Sequence, residues 1–474
     1  METIPNQTMN LFERVNAWIQ ESIMVKLISI GFLVLILLIP GAWIESLIYE
    51  RQSRADEAMN EVASKWSGSQ TILGPVLVIP YKRHEVIDRG KDGVEIHEYV
   101  EKAYFLPDQL DITGTVDPTV LHRGIFDAVV YNSNLNVESV FETWNFKSLN
   151  IDEKNVIWSD AYLAFGITDL RGINDIPVIK SGEVALSGEP SSNLGISTGT
   201  PNDRTDYDNY SPTSSSAYTA SGIVAKLNMT NKESFNGKIS IKLPLKGSRT
   251  LNFVPAGKTT SVTLKGAWNN PSFDGEFLPE SREITEETFT ASWKVLHFNR
   301  PFAQQWVQND QQLTGADFGV NLLLPVDQYQ KSMRTAKYGA LIILLTFISL
   351  FLVEITQKVR IHPFQYILIG AALTIYYALL LSISEHFGYN VSYVISSLAT
   401  VLLIGFYSTT FLPSFKLTMI FTIVLFIFYT FIFLIIQEQD YSLLIGSVGL
   451  FLIIGLLMFF SRKINWYKPS QIQS

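Results

Sequence analysis

The chain has 474 residues, too long for one ordinary domain, and 47% of them are apolar. Its formal net charge of −8 argues against a nucleic-acid binder, which needs a basic stripe to neutralise phosphates. It has 0 cysteines, so disulfides, Cys–zinc sites and thiol chemistry are excluded.

Residues 1–24 are expected to form a cytoplasmic tail, followed by a transmembrane helix over 25–47. The apolar run Leu27–Ile44 approaches the roughly 20 residues that a helix needs to cross hydrocarbon. Helix is the required form, because lipid offers no partner to bare backbone amides. A cleaved signal peptide fits poorly. The run is long for a signal core, Glu2, Glu13 and Glu21 precede it, and the exit Pro40-Gly41-Ala42-Trp43-Ile44-Glu45 lacks a small-x-small cleavage site. The span therefore reads as an uncleaved anchor with Trp43 at the interface.

Residues 48–337 are read as a large outer domain rich in β-structure. It opens with a helical stalk over 48–67, where Glu50, Arg54, Glu57 and Glu61 recur at turn-like spacing up to Gly68. Short strands follow at Thr71–Leu73 and Val76–Ile79, closed by Pro80, then at Glu95–Leu106, Gln109–Val116, Gly124–Asn132 and Val156–Phe165. Further strands are predicted at Val178–Leu186, Gly222–Asn228, Gly237–Leu243, Arg249–Val254, Ser261–Trp268 and Glu287–His297. The alternation Lys238-Ile239-Ser240-Ile241-Lys242-Leu243 is that of a half-buried strand. Many short strands separated by Gly, Pro, Asn and Asp predict an all-β, sandwich-like domain. Residues 187–221 are too polar to offset their ordering entropy and are expected to be a flexible insertion, with Tyr207, Tyr210 and Tyr218 as its partner-binding candidates. Phe105-Leu106-Pro107 and Phe253-Val254-Pro255 hint at a duplicated β unit.

Five more apolar spans crowd 338–460, at about Tyr338–Ile355, Pro363–Ser382, Val391–Leu412, Phe415–Ile436 and Tyr441–Phe460, before a second cytoplasmic tail at 461–474. The fold class is thus an α-helical transmembrane unit, one N-terminal plus five C-terminal helices, carrying a large β domain between them. Lys358, Arg360, Lys416, Arg462, Lys463 and Lys468 all fall on one side, while the alternate loops carry no Lys or Arg. The positive-inside rule makes the basic side cytoplasmic, with both termini inside and the middle segment outside. Arg51 and Arg54 are local exceptions.

The sequence shows no HExxH, Walker A or GxGxxG pattern, and its 6 histidines form no i, i+4 pair. No metal site, cofactor site or catalytic set is predicted. Polar groups inside or at the ends of apolar spans are the better candidates, because charge in lipid is costly. They are Glu354 at the inner end of the second span, His362, Gln365 and Tyr366 at the start of the third, and Glu385 with His386 at its outer end. Ser382, Glu385 and His386 resemble triad members only superficially, since near-consecutive helix residues point in different directions. Helix capping and interfacial hydration account for the same groups without a functional role. Gly370, Ala371 and Ala372 mark a seam for close helix approach.

Several of these segments carry a family resemblance. Arg334-Thr335-Ala336-Lys337-Tyr338 leading to Glu354, His362-Pro363-Phe364-Gln365-Tyr366 leading to Gly370-Ala371-Ala372, and Ser382-Ile383-Ser384-Glu385-His386 are similar to the CreD family of cell envelope integrity inner membrane proteins. Upstream, Gly74-Pro75 to Pro80-Tyr81, Arg123-Gly124-Ile125-Phe126 and Trp268 to Gly275 also resemble family segments. The resemblance runs almost the full length. The chain departs from it at the insertion after Leu186 and at Phe126 and Phe364. It implies a periplasmic outer domain and a role in envelope integrity and the response to cell-wall stress, with no established enzymatic activity; the chain is expected not to be an enzyme. The expected partners are the lipid bilayer and an envelope protein, lipid or peptidoglycan-related ligand, with no nucleic acid. A transporter or lipid-handling protein using the polar residues of the second and third spans is the alternative. Oligomeric state is left open by the sequence.

Overall fold

The computed structural model describes residues 23–88, 94–198, 218–308, 313, 315–322, 328–438 and 441–462. The expected tails 1–24 and 461–474 therefore lie mostly outside the described residues, as do Tyr207 and Tyr210 of the insertion. The chain divides into two compact units, one of 1–54 with 326–474 and one of 55–325.

In the first unit the helices are α1 (Ile23–Trp66, which continues into the second), α2 (Gln328–Lys337), α3 (Gly339–Gln357), α4 (Pro363–Phe387), α5 (Tyr389–Ser408), α6 (Phe415–Gln437) and α7 (Ser442–Ser461). Among the described residues six of them, all except α2, are long and apolar enough to cross a membrane. This is the one-plus-five arrangement that the apolar runs predict. The helix α2 differs from expectation: residues 328–337 were assigned to the β-rich segment, yet they form a helix grouped with the membrane unit. Its buried residues Tyr329, Ser332 and Thr335 explain why, since Thr335 shares a 2.6 Å hydrogen bond with the Tyr389 hydroxyl of α5. Loops are sharply capped. The Ser414 side chain accepts from the Lys416 N–H to start α6.

The second unit is all-β beyond α1, with one nine-stranded and one eight-stranded sheet. The larger sheet runs in the order Pro271–Gly275, Phe318–Leu322, Thr250–Val254, Gln70–Asp88, Tyr162–Ile167, Gly222–Lys226, Gly188–Ser191, with Val94–Phe105 joining Gln70–Asp88 to Gln305–Val307. The other runs Ser281–Ile284, Phe289–Leu296, Thr259–Gly266, Gln109–Arg123, Phe126–Val140, Lys238–Ser248, Val178–Ser181, Val184–Leu186. Alternating residues of both sheets, such as Ile239, Ile241 and Leu243 from one and Leu77, Ile79 and Phe253 from the other, meet in a single apolar core. That is the predicted two-layer all-β domain.

Individual strands depart from the sequence reading. Pro80 does not end its strand, which continues to Asp88 because Val94–Phe105 pairs along it from Leu77 to Asp88. The predicted strand Val178–Leu186 is a hairpin, turned at Gly182 with φ 59°. Val156 makes only an isolated bridge to Tyr81, so the predicted strand Val156–Phe165 begins at Tyr162. Within the expected insertion, Gly188–Ser191 pairs with Gly222–Lys226, and Leu194 and Ile196 enter the core.

The two Pro-containing turns singled out in the sequence occupy matching places. Leu106-Pro107 and Val254-Pro255 each carry the chain from one sheet to the other, into strands that pair in parallel from Gln109–Thr259 onward. Arg300 and Gln304 hold both turns. Arg300 donates to the carbonyls of Phe302 at 2.6 Å and Ala256 at 3.5 Å and to Gln304 at 2.5 Å, while Gln304 donates to those of Leu106 and Pro107. Nearby, burial opposes the charge on Asp108, but Lys258, the Thr143 hydroxyl and the N–H groups of Glu142 and Thr143 outweigh it and hold its carboxyl down at about 2.

Candidate functional site in the membrane unit

Two ion-pair clusters organise the helices of the membrane unit. Glu354, on the last turn of α3, is 4% exposed and receives the Lys26 ammonium of α1 at 2.7 Å. Its other oxygen accepts the Tyr366 hydroxyl of α4 at 3.1 Å, and the Ile361 N–H approaches at 3.4 Å. Lys358 adopts φ 53° to cap α3 and turn the chain back toward Ile361, so the connector itself folds over the carboxylate.

Glu385, near the end of α4, is 7% exposed. The Arg51 guanidinium of α1 grips it in bidentate fashion, with Nε at 2.6 Å from one oxygen and Nη2 at 2.5 Å from the other. Tyr329 of α2 adds a hydroxyl at 3.3 Å. Lys26 and Arg51 are 25 positions apart on one helix, about 37 Å at 1.5 Å per residue. That is somewhat more than the ~30 Å hydrocarbon thickness, so the two clusters lie at opposite membrane faces.

The remaining candidates divide. The His362 ring accepts the Phe364 N–H at 3.2 Å, and the Gln365 side chain accepts the His362 N–H at 2.9 Å. Together they form a capping box that satisfies the first free amides of α4, with Pro363 in its first turn. His386 is exposed, and among the described residues no hydrogen bond or ion pair joins it to Glu385 or Ser382. Glu385 turns instead to Arg51, so the triad-like trio is not assembled. The structure thus brings Glu354, His362, Gln365 and Tyr366 into one region and places Glu385 and His386 at the far end of α4.

The sequence reading did not find Lys26 or Arg51 as site residues. Lys26 directly precedes the apolar run Leu27–Ile44, and Arg51 reads as an exception to the charge rule. The available signal was the count: carboxylates buried at the ends of membrane helices usually pair, and two of them call for two cations. Between the clusters, Tyr376, Tyr377, Tyr393 and Tyr429 are buried and stack edge-on. The small-residue seam is used at Gly370, where a Cβ would lie 2.2 Å from Leu37 of α1.

A cavity of about 400 Å³ opens beside Glu354. Lys26, Arg360 and His362 supply its polar side, and Ile30, Leu33 and Tyr366 its apolar side. Among the described residues no group of three or more His, Asp or Glu is arranged to hold a metal ion.

The sequence pattern of the family described as Inner membrane protein CreD matches residues 22–467, both ion-pair clusters included. The chain belongs to the CreD family. It is also 29% identical over 447 residues to Inner membrane protein CreD of Escherichia coli strain K12, covering 93% of each chain. This CreD-family chain is accordingly an inner-membrane protein with several transmembrane helices and a large β domain between the first and the second.

Proposed function

We propose that this CreD-family protein supports envelope integrity under cell-wall stress without catalysing a reaction, through a periplasmic β domain that binds an envelope component or protein. In this reading both termini are cytoplasmic and the helices are the domain's membrane base. The observation that carries it is the pairing of both buried carboxylates of the membrane unit. Glu354 and Glu385 are each matched to a cation from α1, which makes them fasteners between helices. A carrier needs a polar group free to exchange partners during its cycle, whereas both carboxylates are engaged by side chains of other helices.

Complementation of a deletion strain tests this. A full-length double variant Arg51→Gln/Glu385→Gln, neutral at that cluster, is expected to restore detergent and β-lactam tolerance, as is His386→Ala. Loss of tolerance in the double variant at normal membrane abundance would favour the carrier. Full tolerance in a chain lacking residues 68–325 would remove the role assigned to the β domain.

A further inference from the structure

We propose that a second cavity of the membrane unit, between α1 and α3, binds one phospholipid whose headgroup ends in a primary ammonium. Its ammonium would sit at Glu45, its phosphate at Lys337 and the ester carbonyl of one chain at the Tyr377 hydroxyl. The cavity measures about 130 Å³. Tyr377 of α4 lines it and is 5% exposed, and its hydroxyl has no hydrogen-bond partner among the described residues. A buried hydroxyl left without a partner is costly, and lipid offers no water to repair it. That hydroxyl lies at the cavity wall beside Gly339, where a Cβ would come within 3.3 Å of it. Glu45 is half-buried and Lys337 is exposed, and both line the same cavity. Among the described residues neither makes an ion pair or a hydrogen bond. The site thus offers a cation, a carboxylate and a hydroxyl, each still open to a ligand.

Depth and polarity supply the rest. Glu45 is the first charge after the apolar run Leu27–Ile44, and Lys337 is the last before the run that opens at Tyr338. Both therefore stand at an edge of the hydrocarbon. Glu45 follows Lys26 by 19 positions, about 29 Å along α1, so this edge is the one opposite the Lys26–Glu354 pair. From there the slot runs inward. Leu37 lies 8 positions before Glu45, about 12 Å along the helix, and Ile343 follows Lys337 into α3. Small residues, Gly41 on α1 and Ala340 on α3, leave room between the walls. A phospholipid presents its groups in the same order, with ammonium and phosphate outermost, ester carbonyls below them and acyl chains below those. An anionic headgroup brings no partner for Glu45, and a quaternary ammonium has no N–H to donate to it. A volume of about 130 Å³ is near the ~150 Å³ of a cavity that admits benzene, so it takes the first few carbons of one chain. This inference is independent of what the β domain binds.

The test is native mass spectrometry of the full-length protein in dodecyl maltoside, titrated with phosphatidylethanolamine, phosphatidylcholine or phosphatidylglycerol of identical acyl chains. One phosphatidylethanolamine is expected to bind with about tenfold preference over either other lipid, the size of one charge-assisted contact. Glu45→Gln is expected to lose that preference. Tyr377→Phe removes only the hydroxyl. It is expected to lower occupancy by ester-linked phosphatidylethanolamine severalfold and to leave that of the ether-linked lipid, which has no carbonyl, unchanged. Ala340→Leu, at an exposed position, narrows the slot and is expected to lower occupancy by both. Equal binding of phosphatidylethanolamine and phosphatidylcholine, unchanged occupancy in Ala340→Leu, equal losses of ester- and ether-linked lipid in Tyr377→Phe, or displacement by equimolar phosphoethanolamine would each overturn the proposal.

Discussion

At the scale of single residues, the membrane unit turns on Lys26, Arg51, Glu354 and Glu385. A buried ion pair adds little over a neutral pair of the same shape, but removing one partner strands the other charge at a cost of about 3–5 kcal/mol. Arg51→Gln leaves Glu385, 7% exposed, without its guanidinium. It is expected to lower stability by about 3 kcal/mol, and Arg51→Gln/Glu385→Gln to recover most of that loss. Thermal unfolding in detergent of the two single variants and the double variant measures the coupling, and strict additivity would show that the pair is not a fastener. The carboxylates and Tyr366 were legible in the sequence because charge within an apolar span stands out. Their cations were not, since they lie 328 and 334 positions away along the chain. His362 and Gln365 were legible as polar residues, but their capping role depends on where α4 begins.

At the scale of elements, strand positions followed from alternation, and strand lengths did not. Lys238–Ser248 continues through Pro244 because Phe126–Val140 pairs along its full length. Gln109–Arg123 likewise continues through Pro118, past the predicted end at Val116, because Phe126–Val140 pairs along it to Arg123. Long-range pairing thus overrides local breakers. The crossing turns at Pro107 and Pro255 depend on Asp108, whose carboxyl is held down at about 2 against an ordinary 3.8. A depressed carboxylate contributes stability that is complete above its unfolded pKa and lost as pH falls through the folded one. Asp108 is therefore expected to contribute on the order of 2 kcal/mol at neutral pH, lost between about pH 4 and pH 2. Unfolding followed by tryptophan fluorescence across that window checks this. Asp108→Asn is expected to be less stable at pH 6 and to show a shallower acid transition, and identical acid slopes would refute the assignment.

At the scale of the whole molecule, the one-plus-five arrangement of spans was plain from hydropathy, because a 20-residue apolar run has few alternatives. The count of cations on each connector also favours one orientation. Lys358 and Arg360 join α3 to α4, Lys416 opens α6 and Arg462 follows α7. The natural absence of cysteine, 0 in the chain, makes that orientation easy to test. In intact spheroplasts a membrane-impermeant maleimide is expected to label Asn390→Cys and Ser281→Cys but not Gln357→Cys. The opposite pattern would invert the topology. The spacing of the two ion pairs on α1 has a further consequence. A single span usually answers a bilayer that is too thick or too thin by changing its own tilt. Fastened to α3 at Lys26 and to α4 at Arg51, α1 lacks that freedom. Hydrophobic mismatch must then be met by the helices together or by deformation of the surrounding lipid.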